Sequence, residues 1–330
     1  MAKITVTVHP FGVPSPHPKE LLEKSGHDVV FNTLGRKLKP EEVAEFAGDS
    51  EVIVASTEDL EPLIRQSTKL RMISRVGIGL DSVPLKLCRE KGIAVAYTPD
   101  AVTLAVSELT IGLMIDLLRS MSENNNALKN GVWSRVIGKR IEHSVIGIVG
   151  FGRVGSSVCR MLSGFRPKSV LVCDILDKSP AINKLKEQYG MEISQVGFDE
   201  VTQKSDIVTL HAPLTDITRN MIDSSALEKF KEGAYLINTA RGQIVDEDAL
   251  YDSLKNGRLA AAAIDVFHQE PYKGKLSELT NIVLTSHIGS CSEDCRYLME
   301  THAAEDSLRF LDSQPLARPV PNEEYTASKR

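Results

Sequence analysis

Arg241, Glu270 and His287 are the residues of this chain whose types could together grip an acid and move a proton. Each follows an apolar, strand-like run: Arg241 comes after 234–238, Glu270 after 260–264 and His287 after 282–285. Open α/β sheets bind ligands outside the carboxyl ends of their strands, so this shared placement says more than any one residue does. A guanidinium there would clamp a carboxylate through paired charge-assisted hydrogen bonds and polarise an adjacent carbonyl. An imidazole would give a proton to that carbonyl oxygen as hydride arrives, and take it away in the reverse direction. A glutamate beside it would hold the ring in one orientation and complement the charge of its protonated form. The chemistry that such a set would suit is hydride transfer at an electron-poor carbonyl beside a carboxylate. Taken singly, each residue has a plainer reading, as a surface ion pair, a turn residue before Pro271 or a satisfied structural histidine. His211, His268 and His302 have no comparable company and are read as structural.

A place for the hydride carrier stands earlier in the chain. The stretch 145–155, VIGIVGFGRVG, joins an apolar run to a helix-patterned segment through Gly150-x-Gly152-x-x-Gly155. Such a turn binds a dinucleotide: Gly150 allows the tight turn, Gly152 lets backbone approach a pyrophosphate, and Gly155 lets helix and strand pack closely. The phosphates then meet free amides at a helix N-terminus. A second β-branched run, 169–173, ends in Asp174, 174 − 155 = 19 residues past the last glycine, where a carboxylate holds a ribose hydroxyl. Asp174 would repel a 2′-phosphate, and Ile175 and Leu176 offer no arginine to receive one, so NAD is expected rather than NADP; Lys178 is the one residue that pulls the other way.

The elements that must position these residues form two groups. Strand-like runs at 4–8, 52–55, 72–74 and 93–96 alternate with helix-compatible segments such as 19–24 and 40–46, and a more regular alternation runs from 145 to 285. At 330 residues two domains are expected. The nucleotide turn begins so late, and so little chain follows 288, that the helical pattern 293–311 must return to the first domain. The expected arrangement is two Rossmann-like α/β domains: a doubly wound, parallel NAD-binding domain, 102–288, inserted into a flavodoxin-like substrate domain, 1–101 with 289–330. The proline-rich, polar stretch from 315 to 330 reads as a loose tail.

A net charge of −5 with no long basic block argues against nucleic-acid binding. The apolar segment 103–118 is too short to span a membrane and carries Glu108 and Asp116, so no membrane partner is expected. With no signal peptide apparent after Met1, the expected location is cytoplasmic. Five scattered cysteines suit idle thiols better than disulfides or a metal, although Cys291 and Cys295, four apart, would share a face if both were helical.

Taken in order, several motifs resemble those of the NAD-dependent D-isomer-specific 2-hydroxyacid dehydrogenases, in particular the 3-phosphoglycerate dehydrogenase-like branch. They are Arg75-Val-Gly-Ile-Gly-Leu-Asp81, Thr98-Pro-Asp-Ala-Val102, Ser107-Glu-Leu109, Gly131-Val-Trp133, the glycine turn, His211-Ala-Pro-Leu214, Asn238-Thr-Ala-Arg241-Gly242, Asp265-Val-Phe267 and His287-Ile-Gly289. The resemblance implies that Arg241, Glu270 and His287 are the catalytic set. It implies cofactor contacts from Gly150, Gly152, Arg153, Val154, Gly155, Asp174, Ala212, Pro213, Thr239, Ala240 and Asp265, the last with the nicotinamide carboxamide. Arg75, Val76, Gly77 and Ile78 would meet the substrate, with backbone amides at its carboxylate. A homodimer through the NAD-binding domains is implied too, with 103–118 and Trp133 near the partner. Some departures bear on the substrate. Phosphoglycerate-specific relatives commonly have an arginine where this chain has Ala55, Ser286 replaces a common proline, and no C-terminal regulatory domain follows, so serine feedback through one is not expected. Hydroxypyruvate or glyoxylate is the alternative substrate, and an NAD-sensing corepressor-like binding protein the alternative in another class.

Overall fold

The computed structural model describes residues 1–327. The chain divides into two compact units, Met1–Val102 together with the chain from Ser290 onward, and Thr103–Gly289.

The first unit is built on a parallel sheet of β1 (Lys3–Val6), β2 (Asp28–Phe31), β3 (Val52–Ala55), β4 (Met72–Arg75) and β5 (Ala94–Tyr97), in the order β2-β1-β3-β4-β5. This is the flavodoxin-like order. β3 and β4 are buried along their whole length, as strands covered on both faces must be, and VIVA and MISR contain few groups that resist it. The helix Glu293–Leu311 lies against β3, β4 and β5, and Ser74 Oγ on β4 donates to its Ala303 carbonyl at 2.9 Å. β2 was not expected: it is an edge strand, only partly buried, with too little apolar alternation to stand out.

The segment from Pro315 is not the loose tail its composition suggested. It runs antiparallel along the open edge of β5, with Tyr97 N–H donating to Arg318 O at 3.1 Å and Val320 N–H to Val95 O at 3.0 Å. Buried Asp306 anchors it by accepting from Ala317 N–H at 2.6 Å, and a short helix, Asn322–Ala327, closes it with Tyr325 beneath the Arg89 guanidinium. Composition gauges side-chain burial, whereas an unpaired sheet edge recruits backbone whatever the side chains are. Residues 328–330 of the expected tail lie outside the described residues.

The second unit carries a parallel sheet of β6 (Val145–Val149), β7 (Ser169–Cys173), β8 (Ile193–Gln195), β9 (Ile207–Leu210), β10 (Ala234–Asn238), β11 (Leu259–Ile264) and β12 (Ile282–Leu284), in the order β12-β11-β10-β9-β6-β7-β8. The chain builds outward from β6 to β8, then returns to β9 beside β6 and builds the other way. The order therefore reverses between β6 and β9, the point at which doubly wound sheets open a crevice. One face buries Ile146, Ile148, Val170 and Val172 against Met114, Leu117 and Leu118 of the helix Val102–Arg119; the other buries Val149, Val208, Leu210 and Leu236 against Leu250. The apolar segment 103–118 is thus a core helix of this unit. Among the described residues no helix is long and apolar enough to cross a membrane.

Val320 is 6% exposed in a cluster with Val95 and Tyr97, so Val320→Asp should cost the about 1.5–3 kcal/mol of a buried aliphatic side chain and strand a charge as well. Chemical denaturation should show a clearly lower midpoint. An unchanged midpoint would mean that the strap adds nothing to the stability of the fold.

Candidate active site

The glycine turn follows β6 at the reversal point, and two of its three glycines meet a steric demand of their own. Gly150 has φ +90°, and a Cβ there would lie 2.5 Å from the Ala212 amide nitrogen beyond β9. A Cβ on Gly155 would strike the Gly150 carbonyl oxygen. At Gly152 a Cβ would meet nothing within 4 Å, so the backbone lies open to a ligand on that side. The helix Arg153–Leu162 starts here, and its first rung is Ser156 N–H to Gly152 O at 3.0 Å. The amides of its first turn precede the ladder and carry the positive end of the helix dipole. This cradle fits a pyrophosphate.

Asp174 directly follows β7 and ties two loops together. Its Oδ2 accepts from Phe151 N–H in the glycine turn at 2.7 Å, its Oδ1 accepts from Leu176 N–H at 2.9 Å, and Lys178 Nζ stands 3.7 Å from Oδ2. Ala212 and Pro213 follow β9 on the far side of the glycine turn. Thr239 and Ala240 follow β10, with Thr239 Oγ1 3.1 Å from Thr110 Oγ1 on the helix Val102–Arg119.

The three residues with chemistry to offer emerge from neighbouring strands. After β10, buried Asn238 shapes the turn, its Nδ2 donating to Arg241 O at 2.9 Å and its Oδ1 accepting from Ala240 N–H at 3.0 Å. Arg241 Nη1 donates to Ala240 O at 2.7 Å, and Gly242 packs so tightly that a Cβ would lie 2.6 Å from His268 N. After β11, Glu270 accepts from Phe267 N–H at 3.2 Å. After β12, His287 directs Nδ1 at that carboxylate, 2.8 Å from Oε2 and 3.0 Å from Oε1. Both side chains are about one-third exposed, 35% and 29%, so the pair remains open to a reactant.

His287 takes a left-handed backbone conformation, φ +55°, which is uncommon for a residue with a Cβ. Asp265, 1% exposed, braces it: Oδ1 accepts from Thr285 Oγ1 at 2.6 Å and Ile288 N–H at 2.8 Å, Oδ2 accepts from Gly289 N–H at 2.9 Å, and its carbonyl accepts from His287 N–H at 2.8 Å. The resemblance gave Asp265 a cofactor contact; the structure shows this carboxylate engaged with the histidine loop. Thr285 was missed as part of the site, because nothing in its neighbours marks a threonine that bonds across to the preceding strand's end.

In the first unit, Arg75 ends β4 with its side chain buried and Nη1 donating to Val76 O. Val76 N–H donates to Ala55 O at 2.8 Å and Gly77 N–H to Thr98 Oγ1 at 2.7 Å. A carboxylate could use those two amides only by displacing these acceptors. Ile78 is partly buried against the core of the same unit.

A family description reading D-isomer specific 2-hydroxyacid dehydrogenase, NAD binding domain, matches residues 111–289. The chain belongs to that family. Its cofactor is NAD, and the matched segment covers the glycine turn, Asp174 and the Arg241, Glu270 and His287 strand ends. The chain is 35% identical to D-3-phosphoglycerate dehydrogenase of Methanocaldococcus jannaschii over 309 residues, which cover 92% of this chain but 57% of that protein. It is 31% identical to hydroxypyruvate reductase of Thermotoga maritima, with 85% of this chain and 92% of that one covered. With glyoxylate reductase of Thermofilum pendens it shares 36% identity, covering 74% of this chain and 73% of that one. Among solved structures, a Thermus thermophilus protein superposes with a TM-score of 0.86 at 28% identity, covering 97% of this chain and all of that one. D-lactate dehydrogenase of Aquifex aeolicus, at 24% identity, shares the fold with a TM-score of 0.83 over 96% of this chain and 98% of that one.

His268, His302, His211 and the Cys291–Cys295 pair of this dehydrogenase-family chain stand apart from the Glu270–His287 pair. His268 bonds Val245 O through Nε2 at 2.7 Å, and His302 sits on Glu293–Leu311 with burial pushing its pKa down. Cys291 lies before the start of that helix, whereas Cys295 is buried in its first turn with its thiol pushed up to about 12, so the two do not share a helix face. Among the described residues no group of histidines, cysteines and carboxylates could hold a metal. His211 sits 3.0 Å from Thr209 Oγ1, and burial pushes its pKa down to about 3. The unfolded chain takes up that proton near 6.5 and the folded chain only near 3, so stability falls as pH drops through this window. His211→Asn should flatten the fall between pH 6.5 and 3; denaturant midpoints over this range measure it, and an equally steep fall in the variant would remove His211 as a cause.

Proposed function

We propose that this chain passes a hydride between NAD(H) and carbon 2 of a small D-2-hydroxy or 2-keto acid. The observation that carries the reading is the Glu270–His287 pair, set at the strand ends beside Arg241, on the same sheet edge as the glycine turn. The nicotinamide supplies or accepts the hydride. Glu270 fixes Nδ1 of His287, which leaves Nε2 to exchange a proton with the substrate oxygen. Arg241 would hold the substrate carboxylate and draw electron density from the neighbouring carbonyl. Asp265 and Thr285 would keep the histidine loop in register with its glutamate. Arg75 to Ile78 stay candidates for substrate contact on the strength of the resemblance.

The first substrate to test is 3-phosphoglycerate, on the strength of the phosphoglycerate dehydrogenase relatives, whose length this chain spans only in part. Hydroxypyruvate or glyoxylate is favoured by two observations: Ala55 supplies no charge, and the Arg75 guanidinium is buried and bonded within its own loop. A panel of 3-phosphoglycerate, D-glycerate, D-lactate, hydroxypyruvate and glyoxylate, run with both cofactors, should give turnover with NAD(H) on at least one acid. NADH binding without consumption across the panel would favour a binding protein. His287→Ala should lower kcat by about 10²–10⁴-fold with NADH affinity retained, and Arg241→Ala should raise KM for the acid as well as lower kcat. Normal kcat in either variant would remove that residue from its role.

The chain is further proposed to act as a homodimer through its second unit. Val132, Trp133, Val136 and Ile137 are exposed together, Trp133 at 80% and Ile137 at 98%, and apolar clusters of this kind mark association surfaces. Sedimentation at micromolar concentration should show a dimer that Ile137→Glu weakens; a monomeric wild type would refute it.

A further inference from the structure

We infer that Gln195 is a positioning residue for cofactor choice, holding the loop 174–178 so that Asp174 faces the ribose side of the site and Lys178 is drawn onto Asp174. This inference rests on the assignment of NAD as cofactor and extends it to a residue that need not touch the nucleotide.

Gln195 is the last residue of β8, the three-residue edge strand, and lies level with Val172 of β7. Its side-chain amide reaches over the end of β7 into the loop. Nε2 donates to Leu176 O at 2.8 Å and to Asp174 O at 3.3 Å, while Oε1 accepts from Lys178 N–H at 2.8 Å. One amide thus satisfies three backbone groups of a five-residue loop, close to all that a glutamine can offer.

Besides Gln195, the loop is tied from outside at Asp174, whose carboxylate accepts from Phe151 N–H in the glycine turn. Ile175 is 88% exposed and Leu176 60%, so neither apolar side chain anchors it by burial. Its conformation therefore depends on hydrogen bonds, and those from Gln195 come from outside the loop. The functional consequence runs through Lys178, the only basic residue of the loop. With its backbone tied to Gln195, its ammonium stands 3.7 Å from Asp174 Oδ2, and the two side chains are only 20% and 12% exposed. That partial desolvation strengthens the attraction between them. A 2′-phosphate would need a cation, and the cation at hand is held by the carboxylate that repels the phosphate.

Removing the clamp should loosen the backbone that carries Lys178 away from Asp174, leaving Asp174 with only its bonds to Phe151 and Leu176 N–H. Binding of NADH and NADPH, followed by nucleotide fluorescence on the purified protein, tests this without relying on turnover. Wild type should bind NADH more tightly than NADPH. Gln195→Ala should weaken NADH binding and leave NADPH binding equal or tighter, narrowing the preference by about tenfold, which is roughly 1.4 kcal/mol of discrimination. Adding Lys178→Met to Gln195→Ala should restore the discrimination against NADPH, because the cation that received the phosphate is gone. Thermal melts of each variant accompany the titrations, and a general loss of folding would weaken both nucleotides equally. Equal weakening of both, or an unchanged ratio in Gln195→Ala, would overturn the role of Gln195. A wild type that binds both nucleotides alike would instead overturn the cofactor preference itself, and with it the clamp.

Discussion

The buried carboxylate of Asp265 holds the candidate site together. It accepts two backbone N–H groups and the Thr285 hydroxyl, all from the loop that carries His287. Hydrogen bonds to an ionised acceptor are each worth about 1.5–3 kcal/mol, and a non-glycine residue in a sparsely populated backbone region costs on the order of 1–3 kcal/mol. Three such bonds outweigh the strain of the left-handed histidine. The backbone of a turn with one left-handed residue also points successive N–H groups into a concavity suited to an anion. The strain and the carboxylate thus explain each other: the left-handed turn makes the anion seat, and the anion keeps the turn.

The same device appears at the other end of the site. Asp174 accepts from Phe151 N–H and Leu176 N–H, pinning the glycine turn to the loop after β7. Both aspartates stand at the carboxyl end of a strand, where the sheet's regular hydrogen bonding stops and loop amides need acceptors. Parallel sheets place every such end on one edge, so a strand-end carboxylate can reach the loop of an adjacent strand. The sheet sets the coarse position of the functional loops; these carboxylates, with the Asn238 amide after β10, set the fine one.

This division explains what could be read from the sequence. The central strands β3, β4, β6, β7, β9 and β10 announce themselves as apolar runs because they are covered on both faces. The glycine turn is legible because Gly150 and Gly155 meet steric limits that no side chain could satisfy, while Gly152 leaves the backbone open. The edges were harder: β2 and β8 are short and half-covered, and the 317–320 strap pairs through its backbone, which composition does not report. At the site, Arg241, Glu270 and His287 could be named from their positions after strands, and the structure brings Glu270 and His287 into direct contact. Thr285 and Gln195 could not be named, because their work consists of hydrogen bonds to segments some twenty residues away in sequence, which no local pattern marks. The amides of Val76 and Gly77, expected to face a substrate, carry acceptors that only coordinates reveal.

The arrangement also separates what can vary from what cannot. Gly150, Gly155 and Gly242 are hemmed in by backbone atoms, so any larger residue there must move a strand end. Gln195, Lys178, Ile175 and Leu176 lie at or beyond the rim of the sheet, and changing them leaves the core clusters untouched. Substitutions at these rim positions can therefore change the loop around Asp174 while the sheet, the aspartate braces and the Glu270–His287 pair stay as they are.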